Sequence, residues 1–329
     1  MKIGILGCGN WGSVFGIIQH NNGHDVQIWE YNKERAGQVE TTRSNEPFLI
    51  GHSIPAGIRI RSDIDDVLSG AELTVFAIPS QVLSSVVKLI KANVSTSKYY
   101  LSLTKGIEIK TLRRPSEIIG ELNAARDRTY VLSGPCIANE IIRNEPTAVV
   151  LVGPDQAAAQ ELQHQLATDS FRIYHGDDII GVELGAAIKN VLAIGCGISD
   201  GLGFGNNAKG ALITRGIVEM QRIGVKMGAK ARTFWGLSGF GDLVTTAFSD
   251  ESRNHTLGKK IGMGKNLDQA SREMIMVAEG APTARAVKII ADRHHIDMPI
   301  CEAVYSILYQ EETPKKAIRN LMSRPLRYE

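Results

Sequence analysis

The chain lacks most of what would mark a specialised environment. Its 329 residues include four cysteines, Cys8, Cys136, Cys196 and Cys301, none in a C-x-x-C pair. Thiols so far apart argue against a disulfide framework or a thiolate zinc site and read as free cysteines in a reducing compartment. The formal net charge is only +2, which removes the electrostatic reason to expect nucleic acid or an anionic membrane as partner. Eight histidines show no ligand spacing such as H-x-x-H, so no metal site is expected. The longest apolar stretch, residues 181–198, is glycine-rich and interrupted by Glu183, Lys189 and Asn190, a poor membrane span. No internal repeat or low-complexity tract appears, and a strand expected from residue 2 leaves no room for a leader peptide. These absences lead to the expectation of a cytoplasmic protein.

What remains is an ordinary globular composition, 43% hydrophobic and 22% charged, in a chain too long for one comfortable core. Two domains are expected. The first thirty residues say what the first one holds. Lys2–Leu6 reads as a short apolar strand, followed at once by Gly7-Cys8-Gly9-Asn10-Trp11-Gly12, a helical pattern up to Gly23, and a second strand over Val26–Trp29 ending in Glu30. This G-x-G-x-x-G between strand and helix, with an acid closing the next strand, is the layout of a dinucleotide-binding βαβ unit. Gly7 permits the tight turn, Gly9 lets a pyrophosphate approach the backbone, Gly12 lets helix and strand pack, and free N–H groups at the helix start face the phosphates.

Further strand-like runs follow at Leu73–Ile78, Tyr99–Leu103, Tyr130–Leu132, Ala148–Val152 and Phe171–Tyr174, with helical patterns between several of them, notably Gln81–Lys91. Such alternation predicts an α/β fold, a doubly wound parallel sheet of Rossmann type. From Gly181 onward convincing strands give way to capped helices: Thr313-Pro314 reads as an N-cap with proline at the first helical position, and Met298-Pro299 precedes another apolar helical pattern. We therefore expect a dinucleotide-binding domain over residues 1–180 and an all-helical substrate-binding and catalytic domain over 181–329.

Ligands of open α/β sheets lie beyond the carboxyl ends of the strands, where Pro79-Ser80, Thr104-Lys105-Gly106 and Ser133-Gly134-Pro135-Cys136 fall. Lys105 reads either as a solvated loop lysine or as a ligand contact, and the Gly134 turn could turn N–H groups toward a substrate. Lys189 shares its apolar helix with one other charge, Glu183. Such a lysine either snorkels to water or is held buried, where proton transfer becomes feasible. Gly185, Gly195 and Gly197 weaken that helix intrinsically, by roughly 1 kcal/mol each, and point to close approach of another element or a ligand. Gly239–Leu243 and Ser252-Arg253-Asn254-His255 are polar islands among apolar helices. Arg253 suits a phosphate or carboxylate, or is a surface arginine beside a helix cap.

Taken together, GCGNWG, TKG, SGP, the long block over residues 181–216, GFGDL and SRN resemble the bacterial-type NAD(P)-dependent glycerol-3-phosphate dehydrogenases over nearly the whole chain. The long block is the specific part. The resemblance implies interconversion of dihydroxyacetone phosphate and sn-glycerol 3-phosphate for phospholipid synthesis, by a homodimer with NAD or NADP as cofactor. It implies Lys189 as the catalytic proton donor or acceptor, and Lys105 touching both substrate and nicotinamide. Gly134, Cys136, Asp242, Ser252, Arg253 and Asn254 are the implied substrate contacts. Asn10, Trp11, Ala138, Val277 and Glu279 fall to the cofactor, with Arg253 near it; Cys136 stands where the family often carries serine. Dehydrogenases of 6-phosphogluconate or 3-hydroxyacyl-CoA type share the architecture but lack the long block. A non-enzymatic dinucleotide sensor would have no use for Lys105 and Lys189 together.

On this reading Lys189 protonates the carbonyl oxygen, Lys105 holds substrate, Asp242 orients either a lysine or a substrate hydroxyl, and Arg253 with its neighbours clamps phosphate. Glu30 is expected to accept bonds from the adenosine ribose hydroxyls with Tyr31 stacking on adenine, so that NADH is preferred. Lys33 and Arg35, close behind, would leave NADPH usable.

Overall fold

Apolar runs with little alternation form the centre of an eight-stranded sheet, because central strands covered on both faces have no solvent side. In the computed structural model, which describes residues 1–90, 97–122 and 125–325, the strands are β1 (Lys2–Leu6), β2 (Asp25–Trp29), a short hairpin of β3 (Ser44–Asn45) and β4 (Leu49–Ser53), β5 (Arg59–Arg61), β6 (Leu73–Phe76), β7 (Tyr99–Ser102), β8 (Thr129–Ser133), β9 (Thr147–Val152) and β10 (Phe171–Gly176). The large sheet runs β10-β9-β8-β7-β6-β1-β2-β5. Residues of β6, β7 and β8 are all buried, whereas the edge strand β10 alternates, Phe171 and Ile173 inward and Arg172 and Tyr174 outward.

The helices of this part are α1 (Asn10–Asn21), α2 (Lys33–Thr42), α3 (Ile64–Leu68), α4 (Leu83–Leu89), α5 (Pro115–Ile119), α6 (Ala138–Ile142) and α7 (Gln156–Leu166). Successive residues of a strand face opposite ways, so Ile3 and Ile5 of β1 join a core with Phe15 of α1, Val39 of α2 and Leu162 of α7, while Leu6 joins a second core with Leu68 of α3, Val86 of α4 and Ile118 of α5. The sheet is therefore wound on both faces, as expected. One feature differs from an all-parallel sheet: β9 pairs antiparallel with β8, and β10 follows β9. The expected helix over Gln81–Lys91 is α4, entered through a tight turn at Ser80–Val82; Lys91 lies outside the described residues.

The remaining helices are α8 (Ile179–Gly201), α9 (Asn206–Lys226), α10 (Asp242–Phe248), α11 (Arg253–Gly262), α12 (Leu267–Arg272), α13 (Gly280–His294), α14 (Pro299–Tyr309) and α15 (Pro314–Met322). Among the described residues no strand occurs beyond β10. The expected cap is present, Thr313 accepting the Lys316 N–H at the start of α15. The chain divides into two compact units, Met1–Lys105 with Arg113–Glu183, and Gly106–Leu112 with Leu184–Glu329.

Within the first unit, the buried Glu183 carboxylate takes the Ser116 N–H at 2.7 Å, its hydroxyl at 2.6 Å and the Arg114 guanidinium at 2.5 Å. Within the second, α8 and α11 touch backbone to backbone. A Cβ on Gly197 would lie 2.1 Å from the His255 carbonyl oxygen, and one on Gly258 would lie 2.1 Å from that of Ile194. Gly201 and Gly262 make the same reciprocal contact one turn further on. Of the three glycines singled out in the apolar block, Gly197 thus serves close approach to α11 and Gly185 lies near the Ser238 backbone, while Gly195 meets only the Val304 side chain.

Glu219 of α9 is buried and accepts the Ile300 and Cys301 N–H groups at 2.7 and 3.1 Å, supplying the cap that Met298 does not give α14. Burial pushes its carboxyl up to about 7 despite those two bonds. A folded-state value raised above the unfolded one means that the native state binds the proton more tightly, so this group's contribution to stability is present at acid pH and is lost as pH rises through about 7. Glu219→Gln should remove that slope: the stability difference between wild type and variant, from urea melts at pH 4.5 to 7.5, should shift against the wild type by on the order of 2 kcal/mol as pH rises. A pH-independent difference would refute the assignment.

Candidate active site

The candidate cofactor site of the first unit is built where the sheet order reverses. β1 pairs with β2 on one side and with β6 on the other, and the crevice at the carboxyl ends of β1 and β6 is the place where such sheets bind ligands. The three glycines there have separate tasks. Gly7 has φ +122°, and a Cβ on it would lie 2.4 Å from the Ala77 carbonyl oxygen; one on Gly12 would lie 2.1 Å from that of Gly7. A Cβ on Gly9 meets nothing within 4 Å. Gly7 and Gly12 therefore serve the fold, while the space over Gly9 is left open. Gly9 is the N-cap of α1, where no side chain caps the helix, and Asn10 Oδ1 is buried with no partner among the described residues. Uncapped N–H groups and open space fit a dinucleotide pyrophosphate, to which the Asn10 amide oxygen, itself an acceptor, adds nothing. Trp11 packs edge-on to Phe15 and tilted against Phe171, at 6.0 and 6.2 Å between ring centroids, which walls one side of the turn.

At the end of β2, Glu30 is only 4% exposed. It accepts the Asn32 N–H at 3.1 Å and is ion-paired with Arg35. Arg35 also bonds the Cys8 carbonyl oxygen at 3.3 Å and Asn45 Oδ1, and its guanidinium covers the Phe48 ring at 4.4 Å. The flanking cation considered for a 2′-phosphate is thus folded back on the acid considered for the ribose. Tyr31 is 79% exposed and Lys33 is exposed.

Also in the first unit, Lys105 Nζ donates to the Gly134 carbonyl oxygen at 2.8 Å, so the ends of β7 and β8 bring these two expected residues together and Lys105 is not a plain solvated loop lysine. Cys136 is half-buried against the core and Ala138 opens α6.

In the second unit Lys189 is 5% exposed, which excludes snorkelling. Its Nζ donates to Asp242 Oδ1 at 2.9 Å and to Thr246 Oγ1 at 2.6 Å, and the Thr246 hydroxyl lies 3.2 Å from the same carboxylate oxygen. Asp242 opens α10 directly after a wide π-type turn at Leu237–Gly241, and the positive end of the helix favours its charge. Of the two partners considered for Asp242, a lysine is the one it meets here. Thr246 was not expected from the sequence, although it stands four residues after Asp242 and so shares its helix face.

Ser252 is the N-cap of α11, its hydroxyl accepting the His255 N–H. Arg253 is exposed and donates to the Val277 carbonyl oxygen at 3.3 Å, beside Glu279 at the start of α13. Asn254 is buried and used at both ends: its amide donates to Asn190 Oδ1 at 2.9 Å and accepts the Gly280 N–H at 2.8 Å. This joins the Lys189 helix to the segment carrying Val277 and Glu279. Asn190 is the second residue that sequence reasoning missed, for its partner lies 64 positions away.

Comparison with known proteins agrees in both halves. Residues 2–159 match the family described as NAD-dependent glycerol-3-phosphate dehydrogenase N-terminus, and residues 178–319 match its C-terminus. The chain belongs to the NAD-dependent glycerol-3-phosphate dehydrogenase family. A glycerol-3-phosphate dehydrogenase [NAD(P)+] from Geobacter metallireducens is 41% identical over 98% of this chain and 97% of that relative, and one from Trichlorobacter lovleyi is 42% identical over 100% and 99%. The crystal structure of a glycerol-3-phosphate dehydrogenase from Coxiella burnetii, 33% identical, superposes with a TM-score of 0.93 over 98% of each chain.

The glycines give a direct test of the cofactor half. Gly9→Ala should leave the melting temperature within about 2 °C, as for a substitution that touches nothing, and weaken NADH binding, followed by fluorescence titration, about tenfold or more. Gly7→Ala should cost about 1–3 kcal/mol of stability or more through the backbone clash. Equal effects of both variants on stability would contradict the division of tasks.

Proposed function

We propose that this chain is an NAD(P)-dependent glycerol-3-phosphate dehydrogenase interconverting dihydroxyacetone phosphate and sn-glycerol 3-phosphate. The observation that carries the reading is the buried Lys189 ammonium, held by Asp242 and Thr246 at 2.9 and 2.6 Å in a chain that matches the family along both halves. A bound nicotinamide cofactor supplies or accepts the hydride. Lys189 donates its Nζ proton to the oxygen of the reduced ketone, and takes the proton back in the oxidative direction. Asp242 and Thr246 hold the ammonium in one orientation, so little reorganisation is needed as charge develops on that oxygen. Lys105, fixed by Gly134, adds a second cation for the substrate, and Arg253 grips the phosphate. In keeping with the family resemblance, we assign the first unit to the cofactor and the second to catalysis, and propose a cytoplasmic homodimer whose product enters phospholipid synthesis. Oxidation of NADH or NADPH with dihydroxyacetone phosphate, followed by absorbance, tests the reading; no turnover with either cofactor would overturn it.

Lys189→Ala should lower turnover by roughly 10²–10⁴ or more, the usual worth of a general acid, with NADH binding unchanged. It should also cost about 3–5 kcal/mol of stability, because Asp242 is left buried without its counter-charge. A variant retaining a tenth of wild-type turnover would remove Lys189 from the mechanism.

For cofactor choice we propose that NADH is preferred and NADPH is usable, with Glu30 and Arg35 acting as a pair. Glu30→Ala releases the guanidinium to meet a 2′-phosphate and removes the like charge, so kcat/KM for NADPH should rise relative to NADH. An unchanged ratio, or a wild type that prefers NADPH, would show that this pair does not set the choice.

A further inference from the structure

Directly after Arg253 and Asn254, α11 carries a histidine that is 3% exposed. His255 Nε2 lies 2.7 Å from Asp200 Oδ2, near the end of α8, and the same carboxylate oxygen accepts from Lys209 Nζ of α9 at 2.7 Å. The Lys209 ammonium in turn sits over the Phe248 ring at the end of α10, 4.6 Å from its centroid. His255 Nδ1 has no partner among the described residues, so the contact to Asp200 is the ring's one polar anchor there. The histidine's own N–H closes the Ser252 cap at 3.2 Å.

This anchor lies at a contact made backbone to backbone. Gly197, Gly201, Gly258 and Gly262 lie in the α8–α11 contact. Close packing of side chains normally sets the relative position of two helices by fitting ridges into grooves, and glycines offer no ridge. Two polar links directly after Arg253 help to fix it here: Asn254 to Asn190, and His255 to Asp200. Arg253 itself is exposed. Its place depends on its own bond to the Val277 carbonyl oxygen and on how its buried neighbours are fastened.

We propose that His255 and Asp200 are positioning residues for Arg253, fixing the alignment of α11 on α8 and hence where the guanidinium meets the substrate phosphate. The proposal rests on the reading of Arg253 as the phosphate grip. The test is steady-state kinetics with dihydroxyacetone phosphate and with unphosphorylated dihydroxyacetone, alongside thermal melts, for His255→Leu, His255→Gln, Arg253→Ala and the double variant Arg253→Ala/His255→Leu. His255→Leu should raise the KM for the phosphorylated substrate about tenfold, with kcat within about threefold and the rate on dihydroxyacetone unchanged. Glutamine, which can place a donor near the Nε2 position, should restore KM to within about threefold of wild type. In the Arg253→Ala background the leucine substitution should add less than about twofold, since residues acting through one another are not additive. Should His255→Leu fail to fold, His255→Asn, too short to reach Asp200, carries the same expectation. A lowered melting temperature with KM unmoved, equal damage to both substrates, or additive effects in the double variant would overturn the proposal. If Arg253→Ala itself fails to discriminate between the two substrates, it is the phosphate reading of Arg253 that falls; if it discriminates and His255→Leu does not, only the positioning role falls.

Discussion

Helices α8 and α11 can approach to backbone contact only because Gly197, Gly201, Gly258 and Gly262 have no side chains there; the nearest Cβ placements would fall 2.1 to 2.4 Å from carbonyl oxygens. Much of what handles charge in the second unit depends on that closeness. α8 carries Lys189, Asn190 and Asp200, while α11 carries Arg253, Asn254 and His255. Were the helices held a side chain's width apart, the short amides of Asn190 and Asn254 could not meet at 2.9 Å. Gly197 and Gly258, the two in helix interiors, sacrifice roughly 2 kcal/mol of intrinsic propensity. The return is a bridge of two short amides, which lose less rotamer entropy when fixed than longer polar side chains would.

The charged side chains of α8 are matched. Glu183 has Arg114 and Ser116, Lys189 has Asp242 and Thr246, and Asp200 has Lys209 and His255. Such pairs add little net stability over an apolar core of equal volume, but breaking one is costly. That asymmetry suits a catalytic lysine. Its ammonium is held by the Asp242 carboxylate and the Thr246 hydroxyl, and the energy needed to arrange the proton donor is spent in folding rather than during the reaction.

In the first unit the same economy of space separates fold from function within a single six-residue turn. Gly7 and Gly12 are crowded against Ala77 and against each other, while Gly9 opens onto empty space. The open position and the uncapped start of α1 are an arrangement that folding alone does not require. Beside it, Arg35 folded onto Glu30 and Asn45 leaves the acid at the end of β2 neutralised within its own unit.

Much of the architecture was legible in the residues alone because it is decided locally. Unbroken apolar runs mark β6, β7 and β8 as central strands, Thr313-Pro314 marks the start of α15, and the glycine turn between β1 and α1 announces its own ligand class. Lys189 could be singled out as a lone cation in an apolar helix. What it touches could not, since Asp242 and Thr246 lie more than fifty positions away and helix packing alone brings them to it. For the same reason the bridge of Asn254 to Asn190, the fold-back of Arg35 onto Glu30, the reversal of β9 and β10 and the grouping of Gly106–Leu112 with the helical unit were decided only by the tertiary structure. Spacing within an element dictates which residues share a face; which face meets which depends on the packing of the whole chain.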